Sequence, residues 1–461
     1  MSRSSTTLAE ERPPAPREPA APALPRLLSG IPAHGGALSL DEHLDIHGGL
    51  PPIGDRPAQR RRHAPSELIG RIERAGLRGR GGAGFPTATK LHAVAAARRR
   101  SIVVINAAEG EPASHKDRTL CRLLPHLMLD GGQLAAQAVG ADELIVCVCE
   151  SAAASVEAVA AAIAERSGLA GAPARVRLSV VPGGYVAGQE SALVNYLNGG
   201  PALPTFTPPM PFEQGVRRRP TLVSNAETFA HIALIGRHGS QWFRELGTTS
   251  QPGSALVTLT GPVANPGVYE IEYGASLSAL LQAAGGTTSR PRAALLGGYA
   301  GAWVEGQLLG GVALSDEHLA PHGASLGAGV VALLSADACP VAETARVARW
   351  LSAESAGQCG PCLNGLDALA ATVQEVASGT AQGNAGKRIA RLAALVQRRG
   401  ACAHPDGAVR FVLSALETFS AAFADHARHG ACDACASPAE LPLPVRSSAG
   451  AERRRGVGSA S

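Results

Sequence analysis

Nine cysteines are spread along the 461-residue chain, and five of them fall after residue 358. In "ESAGQCGPC", residues 354–362, Cys359 and Cys362 form a C-x-x-C pair. Ala356 stands three residues earlier, where a third thiol would complete C-x-x-C-x-x-C. A second pair, Cys432 and Cys435, lies in "HGACDACASP". Thiolates at this spacing suit iron–sulfur clusters or, as two pairs, a tetrahedral zinc ion. A different chemistry is written in "GLRGRGGAGFPTATK", residues 76–90. Gly79, Gly81, Gly82 and Gly84 let backbone N–H groups approach an anion, and Arg78, Arg80 and Lys90 add positive charge. That loop suits a phosphate, as in a nucleotide or a flavin mononucleotide, but its composition alone equally describes a flexible connection. It lacks the G-x-x-x-x-G-K-[ST] of a Walker ATPase.

The elements that must hold these residues fall into three blocks. From 41 to about 245, strands ("SIVVINAAEGEP", "ELIVCVCE", "ARVRLSVVPGG") alternate with helices ("PSELIGRIERAGL", "DGGQLAAQAVGA", "ASVEAVAAAIAERSGL", "GQESALVNYLNGG"). This predicts a mainly parallel sheet covered on both faces, with ligands at the carboxyl ends of its strands. Leu68, Ile69 and Ile72 share a helical face, and Cys121, Cys147, Cys149 and Cys339 read as buried thiols. From about 250 to 335, strand, Asn265-Pro266-Gly267 turn, strand and helix predict a small α+β domain. From about 340 to 430 the pattern is helical, with Val409, Val412, Leu413, Leu416 and Phe419 as one stripe. Residues 1–40 and 431–461 are rich in small and polar residues and are expected to be flexible tails.

The composition is 45% hydrophobic and only 3% aromatic, with a net charge of +4, partly from Arg3, Arg12, Arg17 and Arg453 to Arg455. So weak a charge on so long a chain argues against nucleic-acid binding. No apolar run reaches the length of a membrane span, and the first residues lack a signal-peptide core, so a cytoplasmic protein is expected.

Taken in order, "GLRGRGGAGFPT", "NAAEGEPASHKDR", "GGYVAGQESALVNYL", "VSNAET", "GQCGPC" and "CAHPDGAV" resemble the flavoprotein subunit of respiratory complex I. The same family includes the diaphorase subunits of NAD-linked hydrogenases and formate dehydrogenases. The resemblance spans about residues 65 to 425. It implies a Rossmann-like FMN-binding domain, a β-grasp-type SLBB domain and a helical iron–sulfur domain. The implied activity is hydride transfer from NADH to FMN, with single electrons then passed to a [4Fe–4S] cluster. By the same resemblance Gly79, Arg80, Gly81, Gly82 and Lys90 would hold the FMN phosphate and ribityl chain, and Phe85 would stack on adenine. Asn106 and Glu109 would face the isoalloxazine and nicotinamide, and Glu111 the NADH ribose. Tyr185, Gly188 and Glu190 would line the flavin, and Asn225 its phosphate end. Glu109, Glu111 and Glu190 are the candidate catalytic residues.

The chain also departs from the family pattern. Ala108 replaces an Asp, Gln189 a Glu, Thr207 a Lys and Met210 an aromatic, while Ala93 stands at a position often aromatic. FMN binding is therefore expected to be more secure than NADH binding. Cys359, Cys362 and Cys402 match three of the four cluster ligands, and Ala356 replaces the other. Candidates for the fourth ligand are Cys432 or Cys435, Ser355, His404, water on an open iron, or none, in a three-iron cluster. The expected partner is a ferredoxin or a thioredoxin-like iron–sulfur protein. Two alternatives stand beside this reading: an FMN/iron–sulfur subunit that no longer uses NADH, and a scaffold that retains only the fold.

Overall fold

The computed structural model describes residues 24–32, 35–52, 66–97, 99–168, 172–381 and 383–444. The tail expectations for residues 1–23 and 445–461 lie outside the described residues.

A four-stranded parallel sheet forms the first layer. Its strands are β1 (Ser101–Ala107), β2 (Ala141–Cys149), β3 (Arg175–Val181) and β4 (Thr221–Asn225), in the order β3-β2-β1-β4. The apolar runs are continuous because both faces are covered. Ile102, Val104, Ile145 and Cys147 pack on one side, and Val103, Ile105, Leu144 and Val146 on the other. Leu68, Ile69 and Ile72 of the helix Glu67–Ala75 are buried in the latter layer, as their spacing predicts. There the helices Pro125–Val139 and Ala226–Arg244 cross closely, and a Cβ on Gly131 would stand 1.7 Å from the Phe229 carbonyl oxygen. Chain order reverses at β1, which pairs with β2 on one side and β4 on the other, so Asn106 and Asn225 sit opposite each other at the carboxyl ends. Such a reversal opens a crevice between neighbouring strands. Strand β4 ends within "VSNAET", a stretch that the alternation of strands and helices did not single out as a strand.

The second sheet joins β5 (Ser254–Thr260), β6 (Gly267–Glu272), β7 (Pro291–Leu296), β8 (Ala302–Glu305) and β9 (Val330–Ser335), in the order β6-β5-β9-β7-β8. Only β5 and β9 pair in parallel. The helix Leu277–Ala283 covers one face. Ala293, Leu295, Val330, Ala332 and Leu334 turn the other face onto the C-terminal helices.

Those helices are Pro340–Ala353, Leu366–Ala377, Ala385–Val396, His404–Thr418 and Ser420–His429. The stripe expected from Val409 to Phe419 is interrupted. The chain bends by 81° at Phe419, which packs edge-on against Trp303. Val409 and Val412 are buried, whereas Leu413 and Leu416 are only half-buried.

Two expected tails are partly packed structure. Leu27 and Leu38 are buried among Leu120, Leu127 and Leu234, and the backbone N–H groups of Arg26, Leu27 and Leu28 all donate to Glu270 Oε2. At the other end Leu441 is buried in the helical core. Isolated apolar residues in polar surroundings give no periodicity, so their docking was not legible in the sequence.

Candidate functional site

The helix Glu67–Ala75 ends at Gly76 with φ of 71°, and the glycine loop starts there. The loop closes on itself, Gly79 N–H donating to the Phe85 carbonyl at 2.8 Å, and Arg78 Nε reaching the Gly84 carbonyl at 2.8 Å. Gly82, with φ of 103°, takes a backbone shape that side chains disfavour. Beside the loop lies a cleft of about 770 Å³, a size suited to a nucleotide-like ligand. It runs along the carboxyl ends of β1 and β4, and its far walls come from the second sheet's loops and from His404 to Arg410.

All thirteen non-cysteine site residues expected from the sequence line this one cleft: Gly79 to Gly82, Phe85, Lys90, Asn106, Glu109, Glu111, Tyr185, Gly188, Glu190 and Asn225. Their contacts differ. Lys90 Nζ pairs with Glu190 Oε2 at 2.7 Å and bonds the Val223 carbonyl at 3.2 Å. Asn106 Nδ2 donates to the Gly188 carbonyl at 2.8 Å, drawing the two loops together. A Cβ on Gly188 would come within 2.5 Å of the Ala108 carbonyl oxygen, so that crossing needs glycine.

Arg80 is committed elsewhere. Its guanidinium donates to Tyr273 Oη at 2.8 Å and to the Ser254 carbonyl at 2.9 Å, and it lies over the Tyr273 ring. Its backbone N–H donates to Thr228 Oγ1. Arg80 thus ties the loop to the second sheet, which leaves Lys90, on the helix Thr87–Ala95 that follows, as the motif's cation at the cleft's rim.

The acidic loop after β1 is also built in. Glu109 Oε1 accepts from Ser114 Oγ at 2.6 Å and from Asp117 N at 3.2 Å, while Oε2 accepts from Arg118 N. It therefore holds the start of the helix Lys116–Leu123. Burial, then repulsion from Asp117, pushes its pKa up. Glu111 Oε2 accepts from Tyr299 N at 2.8 Å and from Tyr185 Oη at 3.4 Å. Burial raises its carboxyl to about 7, against the opposing hydrogen bonds. Tyr185 stacks edge-on between Trp350 and His404, and its N–H donates to Glu354 Oε2 at 3.1 Å.

Sequence reasoning missed the centre of this network. Lys116 is buried, its Nζ within 2.8 Å of Asp117 Oδ1, 3.0 Å of Asn225 Oδ1 and 3.1 Å of Glu227 Oε2. Burial alone would lower its pKa, but Asp117, Glu227 and Glu109 outweigh it and hold it above the usual lysine range. Burial likewise opposes ionisation of Glu227, yet Lys116, His231 and Arg80 keep it at about 2. Asn225 accepts from Glu227 N as the helix N-cap and donates to Asp117 Oδ2 at 2.6 Å. A basic residue beside an acidic one at a helix start was the available signal, and "HKDR" carries it.

The residues fit an FMN-like group in three respects. Backbone-bare glycines border the cleft, a cation stands at its rim, and Thr87 Oγ1 and His404 Nδ1, both from cleft-lining residues, are buried without a protein partner.

Cys359, Cys362 and Cys402 meet around a small cavity that Ala356 also lines, so the methyl group stands beside the three thiols. Ser355 and His404 are not among its lining residues, and His404 Nε2 is bonded to the Leu351 carbonyl. Cys432 and Cys435 are absent from it too. They stand with Cys339 and His426 instead, because the chain after Ser420–His429 folds back onto the start of the helix Pro340–Ala353. Three protein thiols therefore fit a cluster with one iron lacking a cysteine.

Comparison with known proteins agrees with this layout. The family described as "Nuo51 FMN-binding domain" matches residues 72–234, the "SLBB domain" residues 256–298, and the "NADH-ubiquinone oxidoreductase-F iron-sulfur binding region" residues 342–426. An NADH-quinone oxidoreductase F subunit of Rhizobium meliloti (strain 1021) is 32% identical over 384 residues, covering 80% of this chain and 91% of the relative. The chain belongs to the family of NADH-quinone oxidoreductase F subunits. Within or near that family, the NADP-reducing hydrogenase subunit HndC of Solidesulfovibrio fructosivorans is 28% identical, over 83% of this chain and 80% of its own. A chain of air-oxidised NAD+-reducing [NiFe]-hydrogenase superposes with a TM-score of 0.72 at 33% identity, covering 79% of this chain. The present chain spans 63% of that hydrogenase chain. Family membership thus accounts for the flavin domain, the SLBB domain and the iron–sulfur region in the order in which they occur here.

Proposed function

We propose that this chain is the flavoprotein subunit of a multi-subunit oxidoreductase, accepting reducing equivalents from NADH and delivering electrons singly to a protein partner. The observation that carries it is continuity: Gln189 lines the flavin cleft, and its Nε2 lies 3.9 Å from Cys402 Sγ at the cluster site. FMN bound in the cleft would supply the conversion between two-electron and one-electron chemistry.

The chain's own residues would prepare that site. The glycine loop and Lys90 Nζ would receive a phosphate, with Asn225 and the start of the helix Ala226–Arg244 contributing further positive potential. Glu111 Oε2, with its pKa near neutrality, is the group suited to hold or release a proton as charge in the cleft changes. Lys116 neutralises the acidic ring beneath. The partner is a ferredoxin or thioredoxin-like iron–sulfur protein reached from the Cys359, Cys362 and Cys402 side, and the assembly is cytoplasmic. Among the described residues, no single helix is long and apolar enough to cross a membrane.

One observation favours a second reading, in which NADH is not the donor. Thr207 and Met210, at positions expected to grip the nucleotide, do not line the cleft, and Phe206 beside them is 81% exposed. Anaerobic stopped-flow mixing separates the two. Bleaching of the bound flavin by NADH within the turnover time supports the first. Absence of bleaching by NADH and NADPH, with reduction by a reduced ferredoxin, supports the second. Protein purified anaerobically without flavin would overturn both.

A further inference from the structure

Cys339 lies 87 residues before His426, which shares one short run with Cys432 and Cys435, yet the ligand atoms of all four lie within 4.8 Å of one another. Cys339 Sγ is 3.5 Å from His426 Nε2 and 3.4 Å from Cys435 Sγ. Cys435 Sγ is 3.7 Å from Cys432 Sγ and 3.9 Å from His426 Nε2. A tetrahedron's edge is about 1.6 times its centre-to-corner distance, so thiolates on one zinc ion stand about 3.8 Å apart, and sulfur and imidazole nitrogen about 3.5 Å. The four measured edges scatter around those values. A cubane cluster places each thiolate on a different iron, and its sulfurs stand farther apart than this.

Local structure supports the same assignment. Cys339 is the N-cap of the helix Pro340–Ala353, and its Sγ accepts from Ala342 N–H at 3.4 Å. Cys432 and Cys435 lie on a tight turn in which Cys435 N–H donates to the Cys432 carbonyl, setting both sulfurs toward one point. His426 lies on the last turn of Ser420–His429, which the 81° bend at Phe419 carries toward Cys339.

We propose that these four residues bind a structural zinc ion, separate from the flavin cleft and from the three-cysteine site. Three thiolates and one imidazole in a closed tetrahedron are the donor set of structural zinc. The ion joins positions 339 and 435 across a long loop, and so restricts the unfolded chain.

Its consequence lies in the segment just beyond. Glu440 Oε2 accepts from Ser335 N–H at 2.8 Å, and the N–H groups of Glu440 and Leu441 both donate to Glu343 at 3.2 Å. The Pro442 carbonyl accepts from Tyr299 Oη, and Tyr299 N–H is the group that holds Glu111. Zinc at the turn anchors this strap, and the strap backs a wall of the flavin cleft.

The test is metal analysis of the full-length protein, purified anaerobically from zinc-supplemented cells, as wild type and as the Cys432→Ser/Cys435→Ser variant. Wild type is expected to carry about one zinc per chain, and the variant to lose it while iron, sulfide and flavin contents stay unchanged. The variant's strap should also become several-fold more susceptible to limited proteolysis after residue 436. Should the variant fail to accumulate, wild type grown with cobalt in place of zinc should show thiolate-to-cobalt charge-transfer absorbance. Wild type without zinc, zinc retained by the variant, loss of iron with the substitution, or cobalt-grown protein lacking that absorbance would each overturn the proposal. Loss of flavin reduction by NADH with zinc intact would bear only on the proposed function.

Discussion

Gln189 donates from Nε2 toward Cys402 Sγ across 3.9 Å, and this contact joins the flavin cleft to the three-cysteine site. Its neighbour Glu190 pairs with Lys90 on the opposite wall, so two successive residues reach the two halves of the site. A glutamate at position 189 would repel a ligating thiolate, whereas the amide offers it a proton. That is the physical content of one departure from the family pattern.

A donor to a cluster thiolate stabilises the reduced, more negative state and raises the potential. Gln189→Leu removes it. A hydrogen bond of about 1 kcal/mol corresponds to roughly 40 mV in a one-electron couple, so the cluster midpoint should fall by about that amount. EPR-monitored redox titration of both proteins reads the shift, and an unmoved midpoint would remove Gln189 from the electron path.

Ala356 lines the space shared by Cys359, Cys362 and Cys402. Ala356→Cys should supply the missing thiol. Iron content after exposure to air should then hold near about four per chain, while wild type falls toward a three-iron species. Iron assay with EPR checks this, and equal losses from the two proteins would show that position 356 does not face the cluster.

Lys90 and Glu190 are only partly buried, and their pair contributes less than about 1 kcal/mol to stability. A bond from Lys90 to a phosphate carries more, about 1.5 to 3 kcal/mol, or roughly tenfold to hundredfold in affinity. Lys90→Ala should therefore weaken FMN retention to that extent while the melting temperature of the flavin-free protein barely moves. Fluorescence titration with FMN, beside calorimetry, separates the two effects.

Glu111 has its carboxyl raised by burial from 4.5 to about 7. The folded state therefore binds a proton that the unfolded state releases across that interval. Its contribution to stability is complete below about pH 4.5 and is lost as pH rises through about 7. The shift corresponds to about 3 kcal/mol. Glu111→Gln should flatten this part of the stability–pH curve of the flavin-free protein. Urea unfolding at pH 5 and pH 8 tests it, and an unchanged difference between the two conditions would exclude Glu111 as its source.

The order of the three blocks and the parallel character of the first sheet were legible in the chain before folding, from alternating strands and helices and the turn residues between them. The thirteen non-cysteine site residues were legible only through the family resemblance, because a loop crowded with glycine describes a phosphate site and a flexible connection equally well. Thirteen site residues named from the motifs lie along one cleft because each motif sits where an element ends, and element ends converge at the reversal of strand order. Residue type did not reveal which partner a side chain would choose. Arg80 turns to Tyr273, 193 positions away, and Glu109 turns to hold the start of the following helix, Lys116–Leu123. Lys116 gains its importance only when folding buries it among carboxylates, one of them far along the chain at Glu227.

The cysteines show the division most clearly. Spacing identifies two C-x-x-C pairs but not their companions. Only the bend at Phe419 brings His426 to Cys339 and takes Cys432 and Cys435 away from the cavity beside Ala356. Ligand sets are closed by contacts between distant segments, and those contacts follow from the packing of whole helices rather than from any short run of residues.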